Sequence, residues 1–141
     1  MQPDYSSRAA RIMQRIHALA AISEDTDGVM RTFGTPAFLR GRALVQGWFD
    51  AAGLATRLDG IGNLRASLPS ANPLAKTFVL ASHIDTVVNA GKFDGPLGVL
   101  MGLDLLENLR ERQVDLPFHI ELIAFSDEEG VRFHTDRKSV V

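Results

Sequence analysis

Residues 77–83, TFVLASH, decide the fold of this chain. Residues 77–82 form a continuous apolar run, the pattern expected of a strand covered on both faces, as in a parallel sheet. A helical pattern follows over residues 95–112, and residues 119–125 alternate before becoming wholly apolar, which predicts another strand. Strand, helix and strand in this order predict a right-handed parallel crossover.

Two amphipathic helices are predicted ahead of this unit. In the first, apolar residues recur at helical spacing as far as a polar loop that begins near Ser23, and arginines lie off the apolar stripe. The apolar residues are Ile12, Ile16, Leu19 and Ile22, and the arginines are Arg8, Arg11 and Arg15. The second helix begins at Thr35 and Pro36, an N-cap followed by proline at the first helical position, and ends near Gly53.

Two short strands and a third helix complete the predicted elements. Residues 55–59 and 63–68 flank a turn with two glycines, which predicts a hairpin at a sheet edge. The helix over residues 95–112 is expected to bury one face and to turn the other to water. The buried face carries Leu97, Leu100, Met101, Leu105 and Leu109, and the solvent face carries Asp104, Asn108 and Arg112.

Composition excludes several classes of protein. The 141 residues are 45% hydrophobic and 23% charged, which is typical of one globular domain. A net charge of −2 gives no electrostatic footprint for nucleic acid or for a membrane surface. The sequence has no cysteine, so any metal must be held by nitrogen and oxygen ligands, and a reducing, cytoplasmic location is predicted.

One histidine and several carboxylates are predicted to meet at one edge of the sheet. His83 ends one strand, and Glu128 and Glu129 follow the next. In parallel sheets, ligands bind outside the carboxyl ends of the strands. Because acidic side chains are rarely buried unless they are paired or hold a metal, a divalent-metal site is the economical interpretation.

Each member of this cluster suggests a different role. Asp85 can accept the second N–H of the His83 imidazole, and Asp94 stands at a helix start, where a carboxylate is favoured and can bridge two cations. Glu128 and Glu129 are adjacent, so one can bind metal while the other faces substrate. Two cations about 3.5–4 Å apart would clamp a hydroxide and polarise a carbonyl, with the free glutamate as general base and then acid, which indicates hydrolysis of an amide-like bond.

Other interpretations of these residues stay open. His-x-Asp alone is common, and Glu-Glu-Gly after a strand is more often a solvated turn. A non-catalytic domain that binds small anions fits the same strand ends. A magnesium-dependent phosphoryl-transfer enzyme fits less well, because His83 is not an oxygen ligand and no phosphate-binding loop is present. His17 and His119 are assigned structural or solvated positions.

Three motifs resemble a known family: HIDTV at 83–87, GKFDGPLGV at 91–99 and DEEGVRF at 127–133. They resemble the amidase branch of the di-zinc aminoacylase/carboxypeptidase superfamily, which includes allantoate amidohydrolase, N-carbamoyl-L-amino-acid hydrolase and beta-ureidopropionase. Residues 22–24 and 62–64 also resemble this branch. The resemblance implies an α/β, three-layer sandwich with a mixed, largely parallel sheet, of which this chain is the N-terminal part.

The resemblance also implies site residues and chemistry. His83 and Glu129 would each bind one of two divalent ions, zinc or else manganese, cobalt or nickel, and Asp94 would bridge them. Asp85 would orient His83, and Glu128 would be the general base. The implied reaction hydrolyses a ureido or carbamoyl C–N bond of a small carboxylate, with loss of ammonia and carbon dioxide.

The substrate remains open between close relatives. Residues 32–37, TFGTPA, resemble the allantoate subgroup, while N-carbamoyl amino acids are nearly as well favoured. A metallopeptidase or aminoacylase of the same superfamily is the remaining enzymatic alternative.

Family members are longer than this sequence. They carry further metal-binding histidines and a lid domain that dimerises, so the full-length protein is expected to be a homodimer. Residues 1–135 are therefore expected to be the N-terminal portion of the catalytic domain. Residues 136–141 match the translation of a sequencing-library adapter and are expected to be a non-native tail. The chain by itself is expected to be poorly soluble and inactive.

Overall fold

The computed structural model describes residues 4–132. The predicted tail at 136–141 lies outside this range. Along the chain the elements are α1 (Tyr5–Ala20), α2 (Pro36–Ala51), β1 (Ala55–Leu58), β2 (Leu64–Leu68), β3 (Thr77–His83), α3 (Pro96–Glu111) and β4 (His119–Phe125). None of the helices in this part of the chain is both long and apolar enough to cross a bilayer.

The four strands form one mixed sheet in the order β1-β2-β4-β3. The predicted hairpin of β1 and β2 is confirmed as an antiparallel pair at the sheet edge, and β2 pairs antiparallel with β4. β3 and β4 are parallel and joined through α3, which confirms the predicted strand-helix-strand unit. Within residues 4–132 the sheet therefore combines one parallel pair with two antiparallel pairs.

Local sequence sets the ends of the helices. The Asp4 side chain accepts a hydrogen bond from the backbone N–H of Ser7 at the start of α1. Thr35 caps α2 in the same way, ahead of the predicted proline at its first position. α1 ends at Ala20 rather than near Ser23. The Ser23 hydroxyl donates to the Gly28 carbonyl and accepts from the Met30 N–H, and these contacts hold the segment as a loop.

One apolar core joins the helices to one face of the sheet. It contains buried side chains from all three helices and from β2 and β4, and each of the large apolar ones contributes about 1.5–3 kcal/mol on burial. Its larger members include Ile16, Leu19, Phe38, Phe49, Leu64, Leu100, Leu103, Leu106 and Leu122. The core packs against one face of β4 and so positions the loop that follows this strand.

The predicted solvent face of α3 is wrong at Asp104. This side chain is 3% exposed, while Met101 and Leu105, which were predicted to be buried, are 56% and 40% exposed. Arg8 and Arg11 of α1 both donate hydrogen bonds to the Asp104 carboxylate. α1 packs against the polar stripe of α3, because the two arginines neutralise the carboxylate and make its burial tolerable.

The predicted burial of β3 on both faces is also wrong within the described residues. Phe78 and Val79, whose side chains point to opposite faces of the sheet, are 55% and 41% exposed, so neither face is fully covered there. β3 also lies at the sheet edge, with β4 as its neighbour. β3 contains no lysine, proline or bulge, the features that usually protect an edge strand from pairing with another chain. The opposite edge, β1, has four residues and carries Arg57.

Replacement of Asp104 by asparagine is expected to destabilise the fold by about 2 kcal/mol. The change removes a charge that accepts hydrogen bonds from two arginines. Urea denaturation measures the effect. The matched control is Glu111→Gln, whose exposed carboxylate lies 3.9 Å from Arg11 and should change stability by less than about 0.5 kcal/mol. Equal effects of the two substitutions would contradict the assignment of a buried ion pair.

Val79→Lys is expected to reduce self-association of the chain. A lysine on an exposed edge strand opposes pairing with a second strand, and the Val79 side chain supports little of the core. Light scattering at increasing protein concentration measures the effect. Leu74→Lys adds the same charge in an exposed loop and should leave association unchanged. If Leu74→Lys were as effective, charge alone would account for the result.

Candidate metal centre

The parallel pairing of β3 and β4 brings the predicted site residues to one edge of the sheet. His83 is the last residue of β3 and lies opposite Phe125, the last residue of β4. Glu128 and Glu129 follow in the loop after β4, and Asp94 precedes α3. His17 and His119 lie elsewhere, and His119 Nδ1 accepts a hydrogen bond from the Ser70 backbone at 2.9 Å.

The histidine and two of the carboxylates are close enough to share a metal ion. One possible ligand atom from each of His83, Asp94 and Glu129 lies within 4.8 Å of the others. The Nε2 atom of His83 lies 3.9 Å from Asp94 Oδ1 and 3.8 Å from Glu128 Oε2. Asp94 is 70% exposed, so the cluster opens to solvent on that side.

Gly95 allows Asp94 to approach His83. Its φ of 80° lies in the left-handed region, which favours glycine. A Cβ atom at this position would lie 2.5 Å from Cε1 of the His83 ring, well inside van der Waals contact. The Ser82 hydroxyl also donates a hydrogen bond to the Gly95 carbonyl at 2.9 Å. The start of α3 is thereby held against the end of β3.

Asp85 links the two loops that carry the site. Its buried carboxylate accepts hydrogen bonds from the backbone N–H groups of Glu128 and Glu129, both at 3.1 Å. His83 Nδ1 lies 3.0 Å from the Asp85 backbone oxygen and 3.5 Å from its carboxylate. The ring is thus oriented mainly by the carbonyl, while the carboxylate mainly holds the loop after β4. This second contact has no signature in the sequence.

Sequence reasoning also missed two buried polar residues beside the site. Asn63, just before β2, accepts a hydrogen bond from the Ser126 backbone at 3.0 Å and so attaches the loop after β4 to the hairpin. In the sequence, Asn63 is distinguished only as part of the motif at residues 62–64. Arg31 is buried next to the loop at 84–86, and nothing in its sequence context distinguishes it from a solvated loop arginine.

The charges in the cluster shift its protonation equilibria. Burial opposes charging of His83, but the hydrogen bonds and negative charge of Asp85, together with Glu128, raise the His83 pKa to about 9. Burial and the neighbouring carboxylates raise the pKa of Glu129. Several negative charges beside one histidine are the arrangement that a cation stabilises.

The described residues do not enclose a substrate at this edge. A cavity of about 20 Å³ lies beside Glu128 and is also lined by Asn63 and Ser126. This is room for about one water molecule. The candidate site is therefore an open cluster with its ligand atoms accessible.

Comparisons with known proteins agree with this fold. Residues 79–139 match the model of peptidase family M20/M25/M40. Allantoate deiminase of Arabidopsis thaliana is 40% identical over 123 residues, 86% of this chain and 23% of that protein. N-carbamoyl-L-amino acid amidohydrolase of Geobacillus stearothermophilus is 39% identical over 124 residues, 87% of this chain and 30% of that protein.

A solved structure matches as well. A hydantoinase/carbamoylase family amidase from Burkholderia ambifaria has a TM-score of 0.83 to this chain at 33% identity, over 87% of this chain and 30% of that one. The chain is thus similar to peptidase family M20/M25/M40 over somewhat less than half of its length, and to the solved amidase over most of it. The relatives named above are an allantoate deiminase, an N-carbamoyl-L-amino acid amidohydrolase and a hydantoinase/carbamoylase family amidase, which agree with the resemblance of the sequence motifs. The chain spans 23% and 30% of the length of the two curated relatives named above.

The stability of the metal-free chain is expected to fall as pH rises from about 6.5 to about 9. Protonated His83 contributes stability that is fully present below its unfolded pKa of 6.5 and is lost through its folded pKa of about 9. Urea denaturation in the presence of a chelator measures this loss. His83→Gln should lack this part of the pH dependence. A variant that loses as much stability as the parent over this range would contradict the assignment.

Proposed function

We propose that the chain carries part of the active centre of a metal-dependent hydrolase of linear amide or ureido C–N bonds, acting on allantoate or an N-carbamoyl amino acid. The observation that carries this proposal is the convergence of ligand atoms from His83, Asp94 and Glu129 within 4.8 Å. Relatives named allantoate deiminase and N-carbamoyl-L-amino acid amidohydrolase support the substrate class.

The donor set fits divalent ions. His83 would offer Nε2, because its Nδ1 faces the backbone oxygen of Asp85. Nitrogen with carboxylate oxygens suits zinc, manganese, cobalt or nickel. Asp94 would bridge two such ions, with Glu129 on one of them and His83 on the other. When bound, the ions would act as Lewis acids on the substrate carbonyl and lower the pKa of water.

Glu128 is proposed as the general base. Its backbone N–H is fixed by Asp85, while its carboxylate is partly exposed and lies 3.8 Å from His83 Nε2. A carboxylate so placed would take a proton from the attacking water and return it to the leaving nitrogen, which departs as ammonia. Asp85 would act on both loops, since it contacts His83 and the Glu128-Glu129 backbone.

The same residues bear on two other candidate functions. A domain that binds small anions is disfavoured, because Asp94, Glu128 and Glu129 surround the edge and would repel an anion in the absence of a cation. A metallopeptidase remains the second candidate, since the matched family is a peptidase family. The homodimer and the cytoplasmic location stay predictions, as does the absence of nucleic-acid and membrane partners.

The proposal is tested in a chimera in which the matching part of this chain, without residues 136–141, replaces the corresponding 124 residues of the Geobacillus stearothermophilus relative. The chimera is expected to release ammonia from an N-carbamoyl amino acid in a metal-dependent reaction. Glu128→Gln should lower kcat by about 100-fold or more with metal content unchanged. Glu111→Gln, an exposed carboxylate on α3, is the matched control and should leave kcat unchanged.

The same exchange with the Arabidopsis thaliana relative tests allantoate. Folded, metal-loaded chimeras that release no ammonia from either substrate would contradict the proposed function. Full activity of the Glu128→Gln chimera would contradict the role of Glu128 while leaving the reaction class standing.

A further inference from the structure

Arg31 is a charged residue in the interior of the protein. It lies in the loop between α1 and α2, and 1% of its surface is exposed. Within residues 4–132 no carboxylate lies within ion-pair distance of its guanidinium. Burial of a charge is costly unless hydrogen bonds compensate for the lost water. The contacts of Arg31 should therefore show why the fold retains it.

The guanidinium of Arg31 connects the end of α1 to the candidate site. Its Nη1 atom donates to the carbonyls of Leu19 at 3.0 Å and Ile22 at 3.2 Å. The Leu19 carbonyl belongs to the last turn of α1, where a cation is favoured, and Ile22 lies in the loop just after the helix. Its Nε atom donates to the Ile84 carbonyl at 2.9 Å. Ile84 is the residue between His83 and Asp85.

The backbone of Arg31 binds Thr86, the residue that follows Asp85. Its N–H donates to the Thr86 hydroxyl at 2.8 Å, and its carbonyl accepts from the Thr86 N–H at 3.2 Å. Ile84 and Thr86 are thus both tied to one residue. Asp85 lies between them, with its carboxylate on the backbone of Glu128 and Glu129. The position of Asp85 therefore depends on Arg31 from both directions.

A glycine in α2 makes room for this side chain. A Cβ atom at Gly41 would lie 2.6 Å from Cδ of Arg31 and 3.2 Å from Cδ1 of Leu19. Glycine within a helix costs roughly 0.5–1 kcal/mol relative to alanine. Burial lowers the pKa of Arg31 to about 10, against the attraction of the Asp85 charge, so the side chain stays charged at neutral pH.

We propose that Arg31 is a positioning residue of the metal centre. By fixing the backbone at 84 and 86, it holds His83 and Asp85 in the arrangement that binds the cation. It touches none of the reacting groups and acts through Asp85 and the end of β3. The inference rests on the proposed metal-dependent function, and its test separates the two.

The test compares the affinity of the full chain for Zn²⁺ and Mn²⁺ with its stability. Arg31→Lys keeps the charge but loses the planar fork, so one ammonium cannot reach all three carbonyls. We expect a 10- to 100-fold loss of metal affinity, typical for removal of a contact that orients a ligand. Amide hydrogen exchange in residues 82–90 should become at least about 10-fold faster.

Two further variants keep the test decisive. Val45→Ala truncates a buried side chain of α2 and controls for lost stability, and it should leave affinity within about 2-fold. Thr86→Val keeps the side-chain shape and removes the hydroxyl, which accepts from the Arg31 N–H and donates to the Val87 carbonyl at 2.9 Å. The expected affinity loss is roughly 2- to 10-fold. If Arg31→Lys does not fold, Thr86→Val decides.

Each result has one meaning. Wild-type protein that binds neither ion overturns this inference, because Arg31 then has no metal centre to position, while the chimeras test the proposed function separately. Wild-type protein that binds, with variants at Arg31 and Thr86 that bind equally well, overturns this inference alone. The same holds if Val45→Ala loses as much affinity at equal stability. Selective loss of affinity with faster local exchange supports the positioning role.

Discussion

The parallel pairing of β3 with β4 is the constraint on which the rest of the structure depends. Because α3 returns the chain to the same end of the sheet, both strands finish at one edge, with His83 opposite Phe125. Neither strand could supply the cluster alone, since one carries the histidine and the other leads to the glutamates. The core beneath the sheet stabilises this pairing and leaves the polar edge open to solvent.

Buried polar contacts hold the loops at that edge in place. Asp85 binds the backbone after β4, Asn63 attaches the same loop to the hairpin, and Arg31 holds the segment around Asp85. The residues proposed to meet metal or substrate, Asp94 and Glu128, are much more exposed. A metal site needs accessible ligands whose orientation is set by hydrogen bonds to buried neighbouring groups, and these residues provide both.

The errors of sequence reasoning have a common physical cause. Asp104 on α3 was expected to face water, and it is buried because Arg8 and Arg11 of a distant helix meet it. β3 was expected to be covered, and it is an edge among the described residues because β4 alone pairs with it. In both cases a local pattern reports which side chains are apolar or charged. It does not report which distant part of the chain will pack against a given side chain or strand.

The sequence by itself determined the elements, the parallel unit and the identity of the clustered residues, because hydrophobic periodicity, capping residues and motif spacing are local properties. It could also place His83 and the glutamates at strand ends. Only the tertiary structure decided that the Asp85 carboxylate holds the backbone of Glu128 and Glu129, and that Arg31 lies buried behind it. Such contacts join residues more than forty positions apart, and hydrogen bonds to backbone atoms leave no pattern in the side chains.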